Sequence, residues 1–289
     1  MGATDNDRER QRLNDLSGKE WIRFTRSWFV CNPPRRKASE VEHPAKFPEA
    51  LADAFIRFFT RAGETVLDPF SGVGSTVAAA CAAGRTGVGI EINPEFLALS
   101  RTRPDMPNEA VLLQGDARTA SDLLCERGLG PVHLILTSPP YWNMLGQSRG
   151  GVVSVHKKRG ARGLRQVYSD DPNDLGNIED YDAFITALTN IFTRLGAVLA
   201  PRRYLVVVIQ NVRAPNGIVQ PLAWDLARSL SEVFDFKGER IWAQDNKPLG
   251  IWGYPTEFVT NVHHHYCLVF KSNPRRLDRR EPTGGETGT

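Results

Sequence analysis

The stretch from Val66 to Glu91 constrains the fold more than any other part of the chain. Val66 and Leu67 form a short apolar strand ending at Asp68. The loop Asp68-Pro69-Phe70-Ser71-Gly72-Val73-Gly74-Ser75-Thr76 follows, then an Ala-rich helix from about Thr76 to Ala83, closed by Gly84. Strand, glycine loop and helix open a nucleotide-binding βαβ unit, in which Gly72 and Gly74 let the backbone approach a ligand closely. The next strand, Thr86 to Ile92, carries Glu91 near its end, 19 residues after Gly72. That spacing suits a carboxylate that takes ribose hydroxyls.

A dinucleotide fingerprint asks for a third small residue, and that position is Val77. A third strand, Ala110 to Gln114, runs into Gly115-Asp116-Ala117. Asp68, Glu91 and Asp116 thus stand at three successive strand ends. S-adenosylmethionine offers an ammonium group to Asp68, ribose hydroxyls to Glu91 and an adenine amine to Asp116. It carries no phosphate, and three acids fit it better than a pyrophosphate.

A fourth apolar strand, Val132 to Leu136, delivers Thr137-Ser138-Pro139-Pro140-Tyr141-Trp142 to the sheet end. Two prolines fix two φ angles and remove two backbone donors. The result is a stiff turn rich in acceptors, the Ser138 hydroxyl and the Pro139 carbonyl among them, beside an aromatic face. Such a turn suits a planar ring bearing an amino group, as in cytosine or adenine. An isolated Pro-Pro turn would be read as plain core packing; the upstream glycine loop favours the functional reading.

These motifs together resemble the amino-methylating DNA methyltransferases, which modify the exocyclic nitrogen of cytosine or adenine. The cofactor motif of that family, Asp-Pro-Phe-x-Gly-x-Gly-x-Thr, is matched from Asp68 to Thr76. Its catalytic motif, Asp/Asn/Ser-Pro-Pro-Tyr/Phe, is matched from Ser138 to Tyr141, in a form typical of cytosine-N4 members. His43 to Pro48 resembles the segment over the cofactor. Ile241-Trp242, Asn246-Lys247-Pro248 and His265 to Phe270 resemble the closing strand pair; His264 stands where many relatives have Glu. The resemblance implies a doubly wound, mostly parallel α/β sheet of seven strands, Rossmann-like, with an antiparallel hairpin at one edge. It implies a cofactor site of Pro44, Phe47, Asp68, Phe70, Gly72, Gly74, Ser75, Thr76, Glu91, Ile92, Asp116 and Ala117. The catalytic set is Ser138, Pro139, Pro140 and Tyr141. The implied reaction is methyl transfer from S-adenosylmethionine to the N4 amine of a flipped-out cytosine in double-stranded DNA, with adenine N6 or an RNA amine as alternatives. A cognate restriction endonuclease is a further partner class.

Composition adds exclusions. No apolar run reaches membrane-spanning length and no signal-peptide pattern opens the chain, which suggests the cytoplasm. Cys31, Cys81, Cys125 and Cys267 have neither metal nor disulfide spacing, and no Pro-Cys nucleophile exists for ring-carbon methylation. The run His263-His264-His265 lacks companion ligands and is read as half-buried strand rather than metal site. Net charge is only +3, but Asn143 to Ser169 holds no acid and carries Arg149, Lys157, Lys158, Arg159, Arg162 and Arg165. Emerging from the Pro-Pro turn, this stretch reads as a clamp for DNA phosphates. Domain boundaries follow: a polar segment over 1–20, the enzyme domain over 21–271 with the basic insertion at 143–180, and a flexible tail over 272–289. Trp252 and Tyr254 are either core or base contacts.

Overall fold

The computed structural model describes residues 12–32, 48–142, 175–213, 218–251 and 253–277. Its centre is a sheet built from β1 (Trp28–Val30), β2 (Thr65–Asp68), β3 (Thr86–Glu91), β4 (Val111–Gln114), β5 (Val132–Thr137), β6 (Leu199–Ile209), β9 (Asp235–Ala243) and β10 (His264–Lys271). The spatial order is β1-β9-β10-β6-β5-β2-β3-β4. Every neighbouring pair is parallel except β6–β10 and β9–β10. β7 (Val212–Arg213) and β8 (Val219–Gln220) form a separate two-stranded ribbon.

Among the described residues the main sheet has eight strands rather than seven. The extra strand, β1, is three residues long, too short for periodicity to reveal, and it pairs Trp28 to Val30 with Ile241 to Ala243. The antiparallel β9–β10 hairpin is present, capped on its outer side by β1.

Buried strands alternate their side chains between two cores, as a pleat with period two requires. Leu67, Ile135, Leu205, Val207, Ile209, Leu268 and Phe270 face one core; Val66, Leu134, Leu136, Val206, Val208, Cys267 and Val269 face the other. The first core is closed by α5 (Ala120–Glu126), α6 (Tyr181–Leu195) and α7 (Leu222–Leu230). The second is closed by α2 (Glu49–Phe59) and α3 (Ser75–Ala82). In α2 the residues Leu51, Ala52, Phe55, Ile56 and Phe59 recur at helical spacing and are all buried.

α6 stops at Leu195, where Gly196 donates back to Phe192 and Thr193. Leu199 opens β6 by pairing with Val132, and a register shift follows where Arg202 takes a φ of 64°. α1 (Gly18–Phe24) spans position 20, with Ser17 and Glu20 forming a capping box. Phe24 stacks on Phe58 at 4.0 Å, and the Arg240 guanidinium lies 4.0 Å from the Phe24 centroid and 4.4 Å from that of Phe29. α8 (Pro274–Leu277) likewise brings Leu277 against the first core. Among the described residues no helix is long and apolar enough to cross a membrane, and all four cysteines are free.

Phe55 is fully buried beneath this aromatic group, with Phe24, Phe29 and Phe59 around it. Phe55→Ala should cost about 3–5 kcal/mol, as large-to-small core changes do. Urea denaturation checks it: a loss under about 1 kcal/mol would mean that the site collapses without a cavity.

Candidate active site

After the edge strand β1, the chain enters the middle of the sheet at β2, winds outward through β3 and β4, then crosses back to β5 on the other side of β2. The strand order therefore reverses between β2 and β5, and ligands of doubly wound sheets bind outside the carboxyl ends at such a point. Asp68 ends β2 and Thr137 ends β5.

Asp68 lies across this junction. Its Oδ1 accepts from the Thr137 hydroxyl at 2.6 Å and the Phe70 amide at 3.1 Å; its Oδ2 accepts from the Thr76 hydroxyl at 2.6 Å. The residue is 2% exposed. Burial pushes its carboxyl up to about 6, against the pull of the hydrogen bonds from Thr137, Thr76 and Phe70. The sequence reading had aimed Asp68 at a cationic ligand group. The structure instead turns it inward, because two hydroxyls and an amide that need an acceptor surround it.

The glycine loop is held from two more sides. Glu91, 8% exposed, accepts from the Gly72 amide at 2.7 Å through Oε2 and from the Asn93 amide at 2.9 Å through Oε1. Its carboxylate therefore shapes the loop whose ligand it was expected to bind. Gly74, at φ 79°, caps α3, and a Cβ there would come within 2.6 Å of Met106 Cε. The Val77 position is resolved by β3: a Cβ on Gly87 would sit 2.7 Å from the Val77 carbonyl, so glycines in the strand supply the close packing that the helix lacks. Ser71 Oγ is buried in the loop with no hydrogen-bond partner among the described residues. Asp116 caps a short 3₁₀ turn by accepting from the Arg118 amide at 2.9 Å, and pairs with that guanidinium at 3.0 Å. Ala117 is buried beside it, Ile92 and Phe70 are half-buried, and Ser75 and Thr76 are buried in the first turn of α3.

Arg103 escaped the sequence reading. Between α4 (Pro94–Arg101) and β4, it donates to the Val73 carbonyl at 3.2 Å and the Ser75 hydroxyl at 3.4 Å while pairing with Glu49 and Asp105. It ties the loop to the start of α2. Only its place in a turn seven residues before Ala110 marked it, and that is no signal.

On the other side of the junction, Ser138 is half-buried and its hydroxyl lies 3.4 Å from the Tyr141 hydroxyl. Pro139 is buried and Pro140 half-buried. Tyr141 is 7% exposed and its ring lies 6.2 Å from that of His265. Trp142 donates through Nε1 to the Glu179 carbonyl at 3.1 Å and packs edge-on against Tyr181, which anchors the turn to the start of α6. His265 stacks on Trp242 at 4.4 Å and 22°. Burial, then Lys247 and His264, push its imidazole down to about 3. His264 and Tyr266 bond to each other, and the described residues contain no cluster able to hold a metal ion.

Pro44 and Phe47 lie outside the described residues, as do Arg149, Lys157, Lys158, Arg159, Arg162, Arg165 and Trp252. Tyr254 is exposed.

Comparison with known proteins finds similarity over the first part of the chain. Residues 3–102 match the family described as DNA methylase, N6_N4_Mtase. These first hundred residues are similar to the amino-methylating DNA methyltransferases. Type II methyltransferase M.BglI of Bacillus subtilis is 39% identical over 89 residues, 30% of this chain and 24% of that protein. DNA adenine methyltransferase YhdJ of Escherichia coli K12 is 44% identical over 64 residues, 22% of each chain. The match to these relatives spans about a quarter of their length. Among solved structures, TrmN from Thermus thermophilus aligns with 16% identity over 80% of this chain and 50% of that one, at a TM-score of 0.46.

Asp68 gives this site a pH signature. Its raised carboxyl favours protonation in the folded chain, so its contribution to stability is complete below about pH 4 and is lost as pH rises through about 6. The rise corresponds to about 3 kcal/mol. Asp68→Asn removes this titration. Wild type's advantage in thermal midpoint over the variant should therefore shrink from about pH 4.5 to about pH 7.5. A gap that widens over that range would mean that hydrogen bonding outweighs burial.

Proposed function

We propose that this protein transfers a methyl group from S-adenosylmethionine to the N4 amine of cytosine in duplex DNA. The carrying observation is the Asp68 junction: one carboxylate joins the glycine loop and α3 to the strand that presents Ser138. A nucleoside-type cofactor and an amine held at Ser138 would then meet across the strand-order reversal.

The residues present fit that cofactor. Gly74 turns the loop into α3 at a positive φ, Ser71 Oγ is buried with no partner among the described residues, and Glu91 and Asp116 stand at the next two strand ends. Bound there, S-adenosylmethionine supplies an electrophilic methyl group. Pro44 and Phe47 would cover it, with Ile92 and Ala117 flanking its ring.

The target base must leave the duplex stack, at a cost of a few kcal/mol offset by pocket contacts. Ser138 Oγ and the Pro139 carbonyl accept from its amine and direct the nitrogen lone pair toward the methyl carbon, while Pro140 stiffens the turn. Such positioning is a large share of catalysis in a bimolecular transfer. The amine's proton leaves after the methyl arrives, so no strong base is required. Tyr141 is the stacking partner for the ring, which calls for its covered face to open when the base enters. The basic residues from Arg149 to Arg165 would hold the backbone phosphates, and a cognate restriction endonuclease would be the partner of such an activity.

Cytosine is favoured by the Thr137-to-Trp142 form. Adenine N6 is the second reading, favoured by the relative named as an adenine methyltransferase. Incubation of labelled S-adenosylmethionine with duplex DNA, single-stranded DNA and RNA, followed by mass spectrometry of nucleosides, is the test. N4-methylcytosine from duplex DNA is the expected product. Methyladenine alone would move the target, label only in RNA would remove DNA as substrate, and 5-methylcytosine would overturn the mechanism. Ser138→Ala should abolish turnover with cofactor affinity intact. Glu91→Ala should weaken cofactor binding by about 1.5–3 kcal/mol, the range for charge-assisted hydrogen bonds, measured by calorimetry.

A further inference from the structure

Two buried polar atoms on the hairpin half of the sheet have no hydrogen-bond partner among the described residues: Gln244 Oε1 and His265 Nδ1. Such groups are rare, and each costs about 1–3 kcal/mol of desolvation, so each asks for an explanation. Gln244 is 4% exposed and His265 is 9% exposed. Both lie at the same end of the sheet as Ser138, because β9 runs parallel with β5 and β10 begins where β9 ends. His265 pairs with Trp242, and the Gln244 amide donates to the His263 carbonyl at 2.8 Å. Gln244 directly follows β9 and keeps a backbone bond to the start of β10, so it and His265 are both buried at this one sheet end.

Contacts connect His265 to the turn that carries Ser138. Trp242 stacks on His265, the His265 ring lies 6.2 Å from that of Tyr141, and the Tyr141 hydroxyl lies 3.4 Å from Ser138 Oγ. The hydrophobic effect has no use for a carboxamide and an imidazole at this depth.

We propose that Gln244 and His265 hold the ring edge of the target nucleotide whose amine meets Ser138. This rests on the amino-methylation reading above. A carboxamide offers an acceptor and two donors, and a neutral imidazole offers one of each. An amino-substituted heterocycle presents the complement: an amine hydrogen beside ring acceptors. Buried as it is, His265 stays neutral near physiological pH, which suits an uncharged base and not a phosphate. The pair acts by positioning the ring, while methyl transfer itself stays with Ser138 and Pro139.

The experiment compares wild type, Gln244→Leu and His265→Phe on plasmid DNA from a host lacking DNA methylation. It reads methyl-transfer KM and kcat, S-adenosylmethionine affinity and the thermal midpoint. Each substitution should lower kcat/KM about tenfold or more, the size of a lost hydrogen bond to a buried partner. Cofactor affinity should stay within about twofold, and the thermal midpoint should hold or rise, because an orphaned polar atom has been replaced by an apolar one of similar shape. A purely structural pair would give the opposite split, a lower midpoint with kcat/KM preserved in the folded fraction. That result, or variants as active as wild type, overturns the assignment. Wild type that methylates no DNA overturns the amino-methylation reading itself, and the assignment with it.

Discussion

One buried carboxylate holds the two halves of this sheet in register at their functional end. Asp68 closes β2 and collects the hydroxyl of Thr76 from α3, the amide of Phe70 from the glycine loop and the hydroxyl of Thr137 from β5. Desolvation wins over these three bonds, since the carboxyl rises to about 6 despite them. A charge kept at such a cost, with apolar residues of similar size available, points to placement rather than stability as its use. It fixes the loop that would cradle the cofactor relative to the turn that would present the amine.

The remaining site builds outward from that point. Glu91 and Arg103 brace the glycine loop from β3 and from the turn after α4, while Trp142 and Tyr181 brace the Ser138 turn from α6. The hairpin half contributes Trp242 and His265 behind Tyr141. Polar atoms without partners among the described residues occur on both sides: Ser71 Oγ in the loop, Gln244 Oε1 and His265 Nδ1 on the hairpin. All lie toward the carboxyl end of the strands, where a doubly wound sheet takes its ligands.

Much of this was readable from residues alone. The β2–loop–α3 unit follows from local signals: an apolar run, glycines, an alanine-rich helix and a closing glycine. The order of strands and helices followed from alternation of type. What stayed hidden depends on distance in sequence. β1 is three residues whose only support is pairing with β9, more than 200 positions away. The inward turn of Asp68 depends on Thr137, 69 residues on. A carboxylate at a strand end looks the same in sequence whether it faces a ligand or a pair of hydroxyls. His265 drew notice as part of a histidine run, but its use depends on Trp242 and Tyr141, which only the folded sheet brings near.

The junction is tested most directly by a double-mutant cycle on Thr76→Val and Thr137→Val, each followed by urea denaturation. The two hydroxyls share one carboxylate, so their effects should be coupled by about 0.5 kcal/mol or more. Additivity within about 0.3 kcal/mol would show that Thr76 and Thr137 do not meet on Asp68, and would contradict the account.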